Sequence, residues 1–138
     1  MARKTTTGLV FEQSVALALQ HGGFHTMFQH HVGTRLGGGK HMVDIVATKG
    51  SQKILVSLKW QQTSGTAEQK VPYEYICLAR ALEENKTIDR AYLVLGGNGW
   101  KKREFYVNGL GDWISSDSNV IVLEGNDFIA IANKGLPR

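Results

Sequence analysis

Apolar residues in this chain recur at helical spacing first and at alternating spacing afterwards. Leu9, Val10, Val15, Ala16 and Leu19 form a broad stripe that Thr7 can cap and Gly22-Gly23 can stop, so the pattern predicts a helix over about 8–21. Phe24, Thr26 and Phe28 alternate loosely with His25, Met27 and Gln29, which predicts a strand over 24–32. Gly33 and Gly37-Gly38-Gly39 then predict a pliable loop. Val43 to Val46 and Ile54 to Leu58 are β-branched-rich runs joined by Lys49-Gly50-Ser51-Gln52, a hairpin signature. The polar run from Gln61 to Thr66 predicts a loop. Pro72, suited to a first helical turn, and the Tyr75, Leu78, Ala79, Leu82 stripe predict a second helix over about 71–84. A short buried strand over 89–95 and a Gly96-Gly97-Asn98-Gly99 loop follow. Beyond Trp100 the pattern predicts a basic helix over 101–107, a strand over 120–123 and a short helix over 126–133.

The order is therefore α-β-β-β-α-β, an α/β fold with a central mixed sheet flanked by helices. A length of 138 residues with 42% hydrophobic content fits a single domain, 1–138, with a core of about 8–95 and a C-terminal extension of about 96–138.

Asp44 breaks the apolar logic of its strand. An isolated carboxylate among apolar side chains costs several kcal/mol unless a cation or hydrogen bonds compensate it. A two-residue turn at Gly50-Ser51 places Asp44 opposite Ser57, and period-two alternation then puts Asp44, Ser57 and Lys59 on one face, with Val43, Ile45, Val56 and Leu58 on the other. An acid, a hydroxyl and an ammonium converge. Those three residues alone also read as an ordinary Asp–Lys pair at a sheet edge.

Sixteen Lys and Arg against twelve Asp and Glu give a net charge of +4, a moderate excess that suits a polyanionic partner such as nucleic acid without demonstrating one. The single cysteine, Cys77, lies in an apolar helical pattern and reads as core. No apolar run approaches the roughly 18 residues that span a bilayer, and the first residues lack the apolar segment of a secretion signal. The expectation is a cytoplasmic protein with no membrane partner.

Arg35, Lys40 and His41 flank the glycine loop, Lys70 stands at the second helix start, and Lys101, Lys102 and Arg103 follow Trp100; these are the candidate phosphate contacts. A solvated charged face is the alternative for each. Neighbouring histidines on a strand point to opposite faces, which disfavours a zinc site at His30-His31, and Gly37-Gly38-Gly39-Lys40 lacks the spacing of a P-loop.

The helix-strand-strand-strand-helix-strand order, with Asp44 on the second strand and Lys59 at the end of the third, resembles the PD-(D/E)XK nuclease superfamily over about residues 8–95. The resemblance implies a restriction-endonuclease-like fold and a Mg²⁺-dependent endodeoxyribonuclease, with Mn²⁺ a substitute metal. It equally admits a Holliday-junction resolvase or a homing or repair endonuclease, and, in a different class, a DNA-binding or assembly protein that has lost catalysis. Met42-Val43 stands where a Pro is common, and Ser57 replaces the usual acid.

Some restriction enzymes of that superfamily similarly show Ser-x-Lys with the second carboxylate displaced to the following helix or the loop before it. That implies Asp44 and Glu68 as metal carboxylates, with Glu74 the alternative, the Leu58 carbonyl as a further oxygen ligand, and Lys59 orienting the attacking water. Glu12 resembles the acid that many members carry on the first helix, and Gln61 or Gln62 the polar residue after the motif. The implied substrate is double-stranded or branched DNA. Cutting both strands implies a homodimer or pairing with a second nuclease subunit.

Overall fold

The computed structural model describes residues 6–62, 67–100, 102–110 and 119–136. Helix α1 (Thr6–His21) leads into strands β1 (His25–Thr34), β2 (Lys40–Lys49) and β3 (Gln52–Trp60). Helix α2 (Ala67–Glu84), β4 (Arg90–Gly96), α3 (Arg103–Asn108), β5 (Val120–Glu124) and α4 (Gly125–Asn133) complete the order. The strands form one mixed sheet in the order β1-β2-β3-β4-β5. The first three are antiparallel, and β3, β4 and β5 run parallel.

Each face of this sheet buries its own core. Phe11, Val15, Leu19 and Phe128 of α1 and α4 pack on Ile45, Ile54, Val56, Tyr92 and Val94. Val71, Tyr75 and Leu78 of α2, with Tyr106 of α3, pack on Val46, Leu55, Leu93 and Leu95 of the opposite face. Alternation along β3 and β4 sorts neighbours to opposite clusters, as period two requires for a strand covered on both sides.

The hairpin has the expected register, pairing Lys49 with Gln52 and Ile45 with Val56. Two expectations need correction. Val43 does not share a face with Ile45: it packs with Val46 and Leu55 in the α2 cluster, whereas Ile45 packs with α1. Alternation breaks at Asp44, where the β1–β2 ladder pairs Phe28 with Ile45 and His30 with Val43 and leaves out Gln29 and Asp44. Gln29 has φ of +50°, a left-handed conformation that costs a non-glycine residue about 1–2 kcal/mol.

The second correction is the start of α2, which lies at Ala67, four residues before the expected Val71. Pro72 therefore sits inside the helix and cannot donate to the Glu68 carbonyl four residues back. The Tyr106 hydroxyl donates to that carbonyl instead, at 3.0 Å, so the helix tolerates its proline.

Candidate active site

Three elements bring the polar cluster together. Ser57 and Lys59 lie near the end of β3, Asp44 marks the kink in β2, and Glu74 comes from the second turn of α2. Asp44 is half-buried; its Oδ2 accepts the Leu58 N–H at 2.7 Å and its Oδ1 accepts the Gln29 side-chain amide at 3.4 Å. The hairpin ladder has ended at Ile45–Val56, so the carboxylate takes a backbone donor that β2 no longer satisfies. In an antiparallel strand a residue's carbonyl leaves on the same edge as its N–H, so the Leu58 oxygen also faces this opening.

Glu74 is 2% exposed and has partners on both oxygens. Its Oε2 accepts Ser57 Oγ at 2.6 Å and lies 3.3 Å from His41 Nε2, and its Oε1 lies 3.3 Å from Arg35 Nη1. Burial pushes this carboxyl up, but the His41 hydrogen bond, the Lys59 charge and the Ser57 hydrogen bond together outweigh it and hold Glu74 below its ordinary range. It is therefore an anion at neutral pH, compensated as a buried charge must be.

The residues singled out in the sequence fall into distinct places. Asp44, Ser57, Lys59 and Glu74 converge. Glu68 does not join them: its Oε1 accepts the Lys102 N–H at 2.8 Å, which ties α2 to the start of α3. Gln61 is buried and clamps the loop after β4, its side-chain amide donating to the Gly99 carbonyl at 2.8 Å while its own N–H bonds Gly96. Gly97 is required there, because its φ is +89° and a Cβ would lie 2.3 Å from the Gln61 carbonyl oxygen.

Glu12 is 9% exposed on the buried side of α1. His41, expected to meet phosphate, is 1% exposed and bonded to Glu74, so burial corrects that expectation. Arg35 is half-buried, spanning Glu74 and the Tyr73 ring, while the Tyr73 hydroxyl holds the Leu36 carbonyl at 2.7 Å. The glycine loop is thereby docked on α2. Lys40, Lys70 and Lys102 are exposed, and Arg103 is half-buried with its guanidinium on the Gly97 carbonyl. Lys101 lies outside the described residues.

Sequence reasoning missed Gln29 altogether, and it missed His41 as a partner of Glu74. No sequence signal marked His41 for that role, because the break at Asp44 that carries Val43, and with it His41 two residues earlier, to the α2 face is visible only in the fold.

A family model described as a PD-(D/E)XK nuclease superfamily domain matches residues 3–136. The chain belongs to the PD-(D/E)XK nuclease superfamily. Solved structures with similar folds include an XisH family protein from Nostoc punctiforme PCC 73102, with 18% identity, a TM-score of 0.57, and coverage of 86% of this chain and 94% of that one. AF1548, a protein of unknown function, has 12% identity and a TM-score of 0.54, and the match covers 83% of this chain but only 58% of AF1548. The small subunit of the heterodimeric restriction endonuclease R.BspD6I has 19% identity and a TM-score of 0.50, covering 92% of this chain and 70% of that subunit. At such identities the likeness is one of fold. No curated protein matches the sequence. Among the described residues no helix is long and apolar enough to cross a membrane.

PD-(D/E)XK nucleases generally use divalent metal ions, and the cluster can be tested for fit. Among the described residues no group of three or more His, Cys, Asp or Glu is arranged to hold a metal. Mg²⁺ does not need one, because it keeps several waters and takes one or two carboxylates plus phosphate oxygens. A carboxylate has about four lone-pair sites. The Ser57 and His41 contacts fall on Oε2 and the Arg35 contact on Oε1, which leaves Oε1 with room for a cation. Asp44 and Glu74, bonded to the neighbouring β3 residues Leu58 and Ser57, are the two carboxylates this cluster offers to a hard, water-retaining dication.

Proposed function

We propose that this superfamily member is a Mg²⁺-dependent endodeoxyribonuclease, with Mn²⁺ a substitute metal, in which Glu74 stands in for the acid absent at Ser57. One observation carries this reading: the Glu74 carboxylate rests against the Ser57 hydroxyl at 2.6 Å, so a carboxylate from α2 fills the space that an acidic side chain on β3 would have filled. Asp44, Glu74 and the Leu58 carbonyl hold the metal, which when bound supplies a lowered water pKa and charge neutralisation at the scissile phosphate. Lys59 orients the attacking water and balances developing negative charge. Ser57 and His41 keep the Glu74 carboxylate aimed and ionised. Lys40, Lys70 and Lys102, exposed beside these elements, contact DNA phosphates, a sequence-independent contribution.

DNA, duplex or branched, is the substrate class. Cleavage of both strands calls for two such sites, supplied by a homodimer or by a second nuclease subunit; the resemblance to one subunit of a heterodimeric restriction enzyme supports the latter. A second reading, a DNA-binding or assembly protein without catalysis, draws on the ion pair between Arg35 and Glu74, which occupies part of the carboxylate. Incubation with plasmid, linear duplex and four-way junction DNA plus Mg²⁺ separates the two. Cleavage that disappears in Asp44→Ala and Lys59→Ala supports the enzyme, and binding without cleavage of any substrate refutes it.

A further inference from the structure

We propose that Gln29 is a positioning residue for Asp44. Gln29 stands across from Asp44, between the pairs Phe28–Ile45 and His30–Val43, at the step where both residues drop out of the ladder. Its φ of +50° is shared, among described non-glycine residues, with Leu136 alone, which lies after the last helix. Strain of this kind persists where the surroundings over-determine it, and such residues cluster at functional sites. β1 is an edge strand, so it can distort without disturbing a further neighbour.

The distortion has a defined product. Gln29 donates to Asp44 Oδ1 while the Leu58 N–H donates to Oδ2, so each oxygen is held separately and the plane of the carboxylate is set. A neutral amide does this without bringing a positive charge that would compete with a cation. The same kink carries Val43 to the α2 face, where His41 meets Glu74, so one backbone feature aligns both carboxylates.

The inference rests on the reading of Asp44 as a metal ligand. Its test uses two variants: Gln29→Gly, which keeps the left-handed backbone and removes the amide, and Gln29→Asn, which tolerates that backbone and retains an amide one carbon shorter. Mn²⁺ affinity is measured by paramagnetic broadening of backbone amide signals, alongside the Mg²⁺ dependence of DNA cleavage. A positioning role weakens metal binding by about 10–100-fold in Gln29→Gly, in the range seen for residues that orient metal ligands, with Gln29→Asn intermediate and DNA affinity unchanged.

Wild-type Mn²⁺ affinity in Gln29→Gly, or a loss confined to DNA affinity, overturns the inference. If the wild type binds Mn²⁺ through Asp44 yet cleaves nothing, the nuclease reading fails, and weakened Mn²⁺ binding in Gln29→Gly still supports the inference. A wild type that binds no Mn²⁺ overturns both.

Discussion

The Ser57 hydroxyl donates to the Glu74 carboxylate across 2.6 Å, joining a β3 residue to a helix residue seventeen positions later. Both residues are buried, at 1% and 2% exposure, so the contact lies in surroundings of low dielectric. A small hydroxyl on β3 leaves room for a long acidic arm from α2, and a larger acid at 57 would collide with it.

Removing one partner of this contact leaves a buried anion short of a donor. Ser57→Ala is expected to destabilise the fold by about 1–3 kcal/mol, the cost of an unsatisfied buried group, as read by urea denaturation. His41→Ala is expected to cost more, because it opens a cavity as well as removing a donor. Unchanged midpoints in both variants would mean that Glu74 is compensated elsewhere.

Gln61 is expected to matter for the loop rather than for the metal. Gln61→Ala removes the bond to Gly99 and should lower stability by about 1 kcal/mol, while the Mg²⁺ dependence of cleavage stays as in the wild type. Gly97→Ala should be the harsher change, since its side chain meets backbone and its φ is positive. A shifted Mg²⁺ requirement in Gln61→Ala would return that residue to the chemistry.

Much of this was legible in the sequence. The hairpin register followed from Gly50-Ser51, and it put Asp44 against the end of β3, where it accepts the Leu58 N–H. What failed was local and had a physical cause. Strict alternation cannot foresee the step at which Gln29 and Asp44 both leave the ladder, so Val43 and His41 were assigned the wrong surroundings. The early start of α2 was hidden by Pro72, whose lost hydrogen bond is made good by Tyr106 from a distant segment. That shift turned Glu68 toward α3 and left Glu74 facing β3.

Exposed lysines should act on DNA affinity uniformly. Lys40→Ala and Lys70→Ala are each expected to weaken duplex binding and to reduce the slope of log K against log salt by about 1, with no change in the sites cut. An altered cleavage pattern with an unchanged salt slope would place these residues at base edges instead.

The proposed function turns on Glu74 taking the place of the acid missing at Ser57. Mg²⁺-dependent plasmid cleavage by Glu74→Gln and Glu68→Gln, measured side by side, tests it most directly. The amide in Glu74→Gln can still accept from Ser57 but carries no charge for a metal, and the loss of a directly bound carboxylate is expected to cut the rate at least about 100-fold. Glu68→Gln, which alters the contact to Lys102, should cleave within a few-fold of the wild type. Near-normal cleavage by Glu74→Gln together with loss in Glu68→Gln would give the metal role to Glu68 instead.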